Sequence, residues 1–209
     1  MSEKNWLENL DASLELLATD GYFEVLDFID EATVMQLVSQ VNDLRAAHQF
    51  RAARVGARPV LETEVRSDEI FWLDSKLIES SKELQKYFEN IGQLQRRLNE
   101  KYFFGLRSNE SHFSRYPSGA SYKRHKDVSE HSNKLSSAHL GTRKISIICY
   151  LNSNWRPEHG GQLRLYLDKN FVDVTPTVGK LVGFLSEEIE HEVLTTFDER
   201  LSLTSWLLN

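Results

Sequence analysis

The chain has 209 residues and a formal net charge of −6, with a sequence pI near 5.7. This acidic balance disfavours a nucleic-acid partner, because neutralising phosphates requires a basic face. The single cysteine, Cys149, excludes an intramolecular disulfide and a cysteine-rich zinc site. The opening residues lack the layout of a signal peptide, and no apolar run reaches the roughly 20 residues that span a bilayer. We therefore expect a cytoplasmic protein with no membrane partner.

Apolar residues recur at helical spacing in three stretches of the first half of the chain, at about 6–17, 31–48 and 81–102. Such stripes are typical of the buried face of a helix. Short strands are predicted at 22–26 and 70–73. A basic stretch near 51–66 lies between the second and third helices, and its composition allows either a solvated loop or a mobile flap over an active site.

The hydrophobic period changes to two from Ser111 onward, and turn residues separate short segments. This pattern predicts strands at about 111–116, 122–127, 144–152, 162–167, 180–185, 190–194 and 201–208. Helices followed by many short strands favour an α+β fold, with a double-stranded β-helix (jelly roll) core packed against N-terminal helices. We expect one domain over 1–209, with 1–105 as mainly helical support and 106–209 as the jelly roll.

Only one of the seven histidines lies in a His-x-Asp triplet, formed by His125 and Asp127. In an extended chain, residues i and i+2 point to the same side, so both side chains can reach one ion. His191, which opens a later strand, is the candidate for a third ligand. Two histidines and one carboxylate leave positions of an octahedral iron(II) open, which distinguishes this set from a closed structural zinc site.

Arg200 follows His191 by nine residues and directly precedes the last predicted strand. Alternation places Arg200 on one face with Ser202, Thr204 and Trp206. If this face is the inner one, the guanidinium requires an anion, and its planar fork suits a carboxylate. A surface arginine is the alternative. With the three metal candidates, a dicarboxylate that chelates the metal and also meets Arg200 is the simplest account.

Several stretches of the chain resemble the hypoxia-inducible-factor prolyl hydroxylases. The resemblance covers roughly 60–208 and includes the bacterial members that hydroxylate a proline of elongation factor Tu. Its motifs are the stretches 65–73, 115–127, 148–155, 160–164, 191–193 and 200–206. It implies a 2-oxoglutarate- and Fe(II)-dependent dioxygenase of the prolyl 4-hydroxylase type, which hydroxylates a prolyl residue of a protein such as elongation factor Tu and produces succinate and CO2.

The resemblance also implies a set of roles. Iron would be held by His125, Asp127 and His191, and the distal carboxylate of 2-oxoglutarate by Arg200 and the Tyr150 hydroxyl. The cofactor pocket would be lined by Tyr116, Ile148, Leu163, Val193, Thr204 and Trp206. The substrate, a protein or peptide containing proline, would meet Arg66, Asp68, Tyr122 and Arg143. The implied cofactors are Fe(II), 2-oxoglutarate and O2, with ascorbate as a further candidate.

Some positions depart from the pattern of the animal enzymes and leave the substrate open. His112 stands where those enzymes carry an apolar pocket residue, Cys149 replaces an aromatic one, and the loop 128–142, with His131 and His139, is longer. Alternatives are the same chemistry on a ribosomal protein, a free amino acid or a nucleobase, the last disfavoured by net charge. A non-catalytic cupin-like binding module and a zinc or manganese hydrolase with the same triad also remain.

Overall fold

The computed structural model describes residues 6–53, 65–128 and 141–209. A short 3-10 turn, Trp6–Asn9, precedes the first helix. The helices are α1 (Leu10–Asp20), α2 (Glu31–Ala46), α3 (Ser75–Ser80) and α4 (Lys82–Tyr102). The strands are β1 (Tyr22–Val25), β2 (Arg51–Ala52), β3 (Glu69–Trp72), β4 (Ser108–Tyr116), β5 (Tyr122–His125), β6 (Arg143–Tyr150), β7 (Leu163–Tyr166), β8 (Phe171–Val174), β9 (Leu181–Leu185), β10 (Glu190–Val193) and β11 (Arg200–Leu208).

The long helices begin where side-chain caps satisfy their first free N–H groups. Asp30 accepts a hydrogen bond from the backbone of Thr33 at the start of α2, and Ser81 accepts one from Leu84 at the start of α4. The buried residues of α4 recur every three or four positions and lie against the larger sheet; they are Leu84, Tyr87, Ile91, Leu94 and Leu98. The predicted helical stripes therefore form the packed face.

Two antiparallel sheets contain all the strands, including β1 to β3 from the first half of the chain. The larger sheet has the order β1-β9-β6-β11-β4-β3-β2, and the smaller has the order β5-β10-β7-β8. The eight strands β4 to β11 divide equally between the two, and apart from the hairpin β7-β8 the paired strands among them are not consecutive in sequence. This is a double-sheet jelly roll, so the predicted α+β fold with N-terminal helices is confirmed.

Two hydrophobic clusters occupy the two faces of the larger sheet. One joins α1, α2 and α4 to the outer face, and the other fills the space between the two sheets. In β6, neighbouring residues go to opposite sides, since Cys149 belongs to the first cluster and Tyr150 to the second. The space between the sheets is therefore where inward-facing polar side chains of the smaller sheet and of β11 can meet.

Three short elements differ from the prediction. The two-residue strand β2 and the six-residue helix α3 are too short to produce a recognisable period. The strand β8 lies at the edge of the smaller sheet, and most of its residues are exposed or half-buried, so it lacks a continuous apolar face. The basic loop falls mainly on residues 54–64, outside the described residues. Within the described ranges, no helix has the length and hydropathy that crossing a bilayer requires.

Candidate active site

Strands β5 and β10 bring the two predicted histidine ligands together. They pair antiparallel, with His125 directly opposite His191, and Asp127 follows two residues after the end of β5. One nitrogen or oxygen atom from each of the three residues lies within 4.8 Å of the others. His125 Nε2 is 3.7 Å from Asp127 Oδ1, and His191 Nε2 is 3.8 Å from Asp127 Oδ2. This spacing suits a single ion between them.

Backbone carbonyls orient both imidazoles. Nδ1 of His125 lies 2.8 Å from the carbonyl oxygen of Lys123, and Nδ1 of His191 lies 3.3 Å from that of Ile189. A neutral imidazole that donates from Nδ1 keeps a free lone pair on Nε2, so these contacts select the tautomer that a metal requires. The Nε2 atoms are also the ones that face Asp127.

The electrostatics of the cluster favour a neutral histidine beside an ionised carboxylate. Burial lowers the pKa of His191 to about 4. Burial works against ionisation of Asp127, but attraction to His191 and hydrogen bonds, including one from Ser146, keep the pKa of its carboxyl well below the usual range. Near neutral pH His191 therefore offers an imidazole lone pair and Asp127 an anionic oxygen, which are the protonation states that bind a divalent metal.

Arg200 lies buried, 3% exposed, at the start of β11. Its Nε donates to the carbonyl of Gly161 at 2.9 Å, and its guanidinium carbon lies 4.9 Å from the ring of Tyr116 and 5.1 Å from that of Tyr150. Arg200 Nη2 and the Tyr150 hydroxyl are buried, and neither has a hydrogen-bond partner among the described residues. Two buried donors without partners are costly, and a carboxylate would satisfy both.

The other predicted cofactor residues lie around these donors. Ile148, Leu163 and Val193 are buried between the sheets in the same cluster as Tyr116 and Tyr150. Thr204 Oγ1 lies 3.3 Å from the hydroxyl of Ser114, and Trp206 Nε1 donates to Asp127 Oδ2 at 2.9 Å. The structure thus gathers the cofactor set into one region between the two sheets.

The predicted substrate residues form two groups beside the triad. Arg66 makes two hydrogen bonds to Asp68, at 2.6 and 3.0 Å, and its guanidinium lies 4.5 Å from the ring centre of Tyr122. The Tyr122 ring stacks on His125 at 3.6 Å. Arg143 is separate from this group, because it lies 3.7 Å from the ring of Trp206 and pairs with Glu110.

Two residues beside the triad were not given roles by the sequence. Ser146 donates to Asp127 Oδ2 at 2.6 Å, and its only sequence signal is a serine inside the apolar strand β6. His112 stacks on Trp206 with ring centres 5.2 Å apart, and its Nδ1 is buried without a partner among the described residues. His131 and His139, whose roles the sequence left open, lie outside the described residues.

An open groove of about 350 Å³ reaches Arg200 but none of the three metal candidates. Its walls come from α2, from the segment 151–155 and from the segment 196–201. Since it has no part of the triad, the candidate site is defined by the converging donor atoms between the sheets and not by this groove.

The sequence matches the model of the 2OG-Fe(II) oxygenase superfamily over residues 111–208. A Pseudomonas putida prolyl-4-hydroxylase is 34% identical, with a TM-score of 0.84, covering 96% of this chain and 100% of that one. The chain belongs to the 2-oxoglutarate- and iron(II)-dependent prolyl hydroxylase family. It is a 2-oxoglutarate-dependent dioxygenase of the prolyl 4-hydroxylase type, and its cofactors are Fe(II), 2-oxoglutarate and O2.

Two further solved structures have the same fold. A Trichoplax adhaerens prolyl hydroxylase, solved with a peptide of the hypoxia-inducible-factor oxygen degradation domain, is 26% identical, with a TM-score of 0.82, covering 99% of this chain and 94% of that one. A Phytophthora capsici prolyl 4-hydroxylase is 21% identical, with a TM-score of 0.72, covering 100% of this chain and 66% of that one. At 21% identity the second likeness concerns the fold alone.

Proposed function

We propose that this dioxygenase hydroxylates a prolyl residue in a protein substrate such as elongation factor Tu, with release of succinate and CO2. The observation that carries the proposal is the convergence of His125, Asp127 and His191, together with buried donors of Arg200 and Tyr150 for which the described part of the chain offers no partner. The full-length relationship to a bacterial prolyl-4-hydroxylase supports the choice of proline. The choice of elongation factor Tu rests on the resemblance of the motifs to the hypoxia-inducible-factor prolyl hydroxylases and their bacterial members.

In this proposal, His125 Nε2, His191 Nε2 and one Asp127 oxygen would hold Fe(II). Two imidazoles and one carboxylate are a donor set that suits an iron(II) which also binds 2-oxoglutarate and O2. When bound, the iron with its co-substrates supplies the oxidation that hydroxylates a C–H bond. The protein contributes ligand orientation, through the carbonyl contacts of the two imidazoles, and exclusion of water by the buried walls between the sheets.

The distal carboxylate of 2-oxoglutarate would bind Arg200 Nη2 and the Tyr150 hydroxyl. Both atoms are buried donors without partners among the described residues, so a bound carboxylate offsets a desolvation cost that the protein already bears. The Gly161 carbonyl fixes the guanidinium through Nε and thereby directs the other nitrogens. The apolar side chains of Leu163, Val193 and Ile148 would pack along the short carbon chain of the diacid.

The substrate would enter beside an aromatic wall that contains Trp72, His112 and Trp206. Ring centres in this wall lie 4.9 Å apart for Trp72 and His112 and 5.2 Å apart for His112 and Trp206. Trp72 is 47% exposed, so the wall reaches the surface. An aromatic surface next to the metal site suits the ring of proline, and Arg143 over Trp206 is placed to meet polar groups of a peptide.

The test is mass spectrometry of purified elongation factor Tu after incubation with the enzyme, Fe(II) and 2-oxoglutarate. We expect one peptide to gain one oxygen atom on a proline, and the same reaction with Asp127→Ala enzyme to yield no product. A parallel incubation with cell lysate searches for other prolyl targets. If 2-oxoglutarate is turned over but no protein gains oxygen on proline, the prolyl substrate is wrong while the dioxygenase assignment stands.

A further inference from the structure

The two oxygens of the Asp127 carboxylate have different surroundings. Oδ2 accepts hydrogen bonds from Ser146 Oγ at 2.6 Å and from Trp206 Nε1 at 2.9 Å. Oδ1 faces Nε2 of His125 at 3.7 Å. Because two donors already occupy Oδ2, the lone pairs of Oδ1 are the ones available to a metal. The hydrogen bonds therefore distinguish a metal-binding oxygen from an oxygen that anchors the carboxylate.

A second buried serine, Ser186, lies within hydrogen-bond distance of Ser146. The hydroxyls of Ser146 and Ser186 lie 2.8 Å apart, and both residues are buried, at 1% and 0% exposure. An ionised carboxylate only accepts hydrogen bonds, so the single hydroxyl proton of Ser146 goes to Asp127. Ser186 must then donate to Ser146. The hydrogen bond from the Ser186 backbone N–H to the carbonyl of Lys144, at 3.0 Å, fixes the end of β9 beside β6.

We propose that Ser186 is a positioning residue for the metal, acting through Ser146 to hold Asp127 with Oδ1 directed at the ion. This inference rests on the proposed metal-binding role of His125, Asp127 and His191. Partners in the outer shell of a metal ligand restrict its orientation and raise metal affinity, and their loss typically costs 10- to 100-fold in affinity or activity. Burying two hydroxyl groups costs free energy, which alanine or valine at these positions would not. Their presence therefore favours a role in holding Asp127.

The same sheet offers a matched control on its helix-facing side. Ser111 and Ser205 form another buried hydroxyl pair at 2.7 Å, and Ser205 also contacts the hydroxyl of Tyr87 at 2.9 Å. These groups lie in the neighbourhood of the outer cluster and not between the sheets. Replacing Ser205 with alanine therefore removes a buried hydroxyl of the same kind and should reduce stability without changing the Asp127 carboxylate.

The experiment is an anaerobic titration of the protein with Mn(II), a probe that does not require turnover. We expect Ser146→Ala to weaken Mn(II) binding about 10- to 100-fold, and Ser186→Ala to weaken it about 2- to 10-fold through loss of one hydrogen bond. If Ser186→Ala impairs folding, Ser186→Cys replaces it, because cysteine is nearly isosteric with serine but a weak hydrogen-bond donor. Ser186→Cys should also weaken Mn(II) binding. Ser205→Ala should lower the denaturation midpoint and leave the Mn(II) affinity at the parent value.

A double-mutant cycle distinguishes a positioning role of Ser186 from a general loss of stability. If Ser186 acts through Ser146, the Ser186→Ala change should have no further effect on Mn(II) affinity when Ser146 is already alanine. The inference would be overturned if the Ser146 and Ser186 variants bound Mn(II) with the parent's affinity. It would also be overturned if the two losses of Mn(II) affinity were fully additive, or if Ser205→Ala lost as much Mn(II) affinity. Failure of the proposed metal site is a separate result, since then the parent protein and Asp127→Ala would bind Mn(II) equally.

Discussion

Arg200 lies between two tyrosine rings with one guanidinium nitrogen, Nη2, that has no partner among the described residues. We expect Arg200→Ala to weaken 2-oxoglutarate binding about 10- to 100-fold, because a charge-assisted hydrogen bond contributes about 1.5–3 kcal/mol. Affinity for Mn(II) should stay near the parent value. Anaerobic calorimetry with Mn(II) and 2-oxoglutarate measures both quantities. Arg97→Ala, a change of a half-exposed arginine on α4, is the control, and equal 2-oxoglutarate affinity in Arg200→Ala and the parent would remove Arg200 from the pocket.

His112 provides a prediction about pH. Burial, followed by the charges of Arg66 and Arg143, lowers the pKa of His112 to about 3 from 6.5. Below pH 6.5 the unfolded chain takes up a proton that the folded protein refuses, so the free energy of unfolding should fall as pH drops from 6.5 toward 3. One such group gives a slope of up to about 1.4 kcal/mol per pH unit. The full contribution of neutral His112 is present above pH 6.5.

The variant His112→Leu should flatten this slope between pH 6.5 and 5 in urea denaturation of the metal-free protein. Leu98→Ala, a core change in α4, serves as a control because it reduces stability without removing a titrating group. The free energy of unfolding should change with pH at the same slope in the parent and in Leu98→Ala, with lower values in Leu98→Ala. A His112→Leu protein with the parental slope would show that His112 is already protonated, or exposed, in the folded state.

At the scale of residues, the sequence predicts the three metal ligands but not the residues that hold them in place. His125 and Asp127 are recognisable because alternation in an extended chain puts them on one side, and His191, which pairs with His125, belongs to a strand that the same alternation detects. Ser146 and Ser186 are not recognisable, since their contact depends on the register between β6 and β9 and on the position of a carboxylate 19 residues before Ser146. Side-chain hydrogen bonds between distant strands have no local signal.

The turn before β7 controls Arg200 at the scale of elements. Gly161 has a φ of +70°, and a Cβ there would lie 3.0 Å from Arg200 Cδ and 3.0 Å from Thr196 Oγ1. Only glycine adopts this backbone conformation readily, and the carbonyl of Gly161 accepts from Arg200 Nε. Two adjacent glycines, Gly160 and Gly161, indicate a turn in the sequence, but the contact with Arg200 comes from the packing of two strand ends.

We expect Gly161→Ala to raise the KM for 2-oxoglutarate, because the added methyl group displaces the guanidinium that it meets. Uncoupled turnover of 2-oxoglutarate measures the effect. Gly105→Ala is the matched control, since Gly105 also has a positive φ, of +67°, but a Cβ there meets nothing within 4 Å. A KM in Gly161→Ala equal to that of Gly105→Ala would contradict a role of this turn in placing Arg200.

The helices contribute to stability and lie away from the triad. Ser81 caps α4 by accepting from the backbone of Leu84, and its hydroxyl also accepts from Gln40 on α2. Ser81→Ala should lower the free energy of unfolding by about 0.5–2 kcal/mol and leave the KM for 2-oxoglutarate unchanged. Urea denaturation and uncoupled turnover on the same preparations test both parts. A large rise in KM would show that α4 influences the pocket.

Over the whole molecule, one face of the larger sheet packs against the helices and the other face borders the candidate site. The outer face packs on the helices and forms the larger apolar cluster, while the inner face and the smaller sheet surround the triad and Arg200. The sequence predicts this division, because helical stripes and alternating strands occupy separate halves of the chain. It does not predict the order of strands within each sheet, which depends on pairings between segments distant in sequence.

The most direct test of this account is an anaerobic crystal structure of the protein with Mn(II) and 2-oxoglutarate. We predict one Mn(II) bound by His125 Nε2, His191 Nε2 and Asp127, with the 2-oxoglutarate chelating it and its distal carboxylate on Arg200 and the Tyr150 hydroxyl. A metal bound elsewhere, or a diacid seated in the open groove between α2 and the segment 196–201 with the triad empty, would contradict the account.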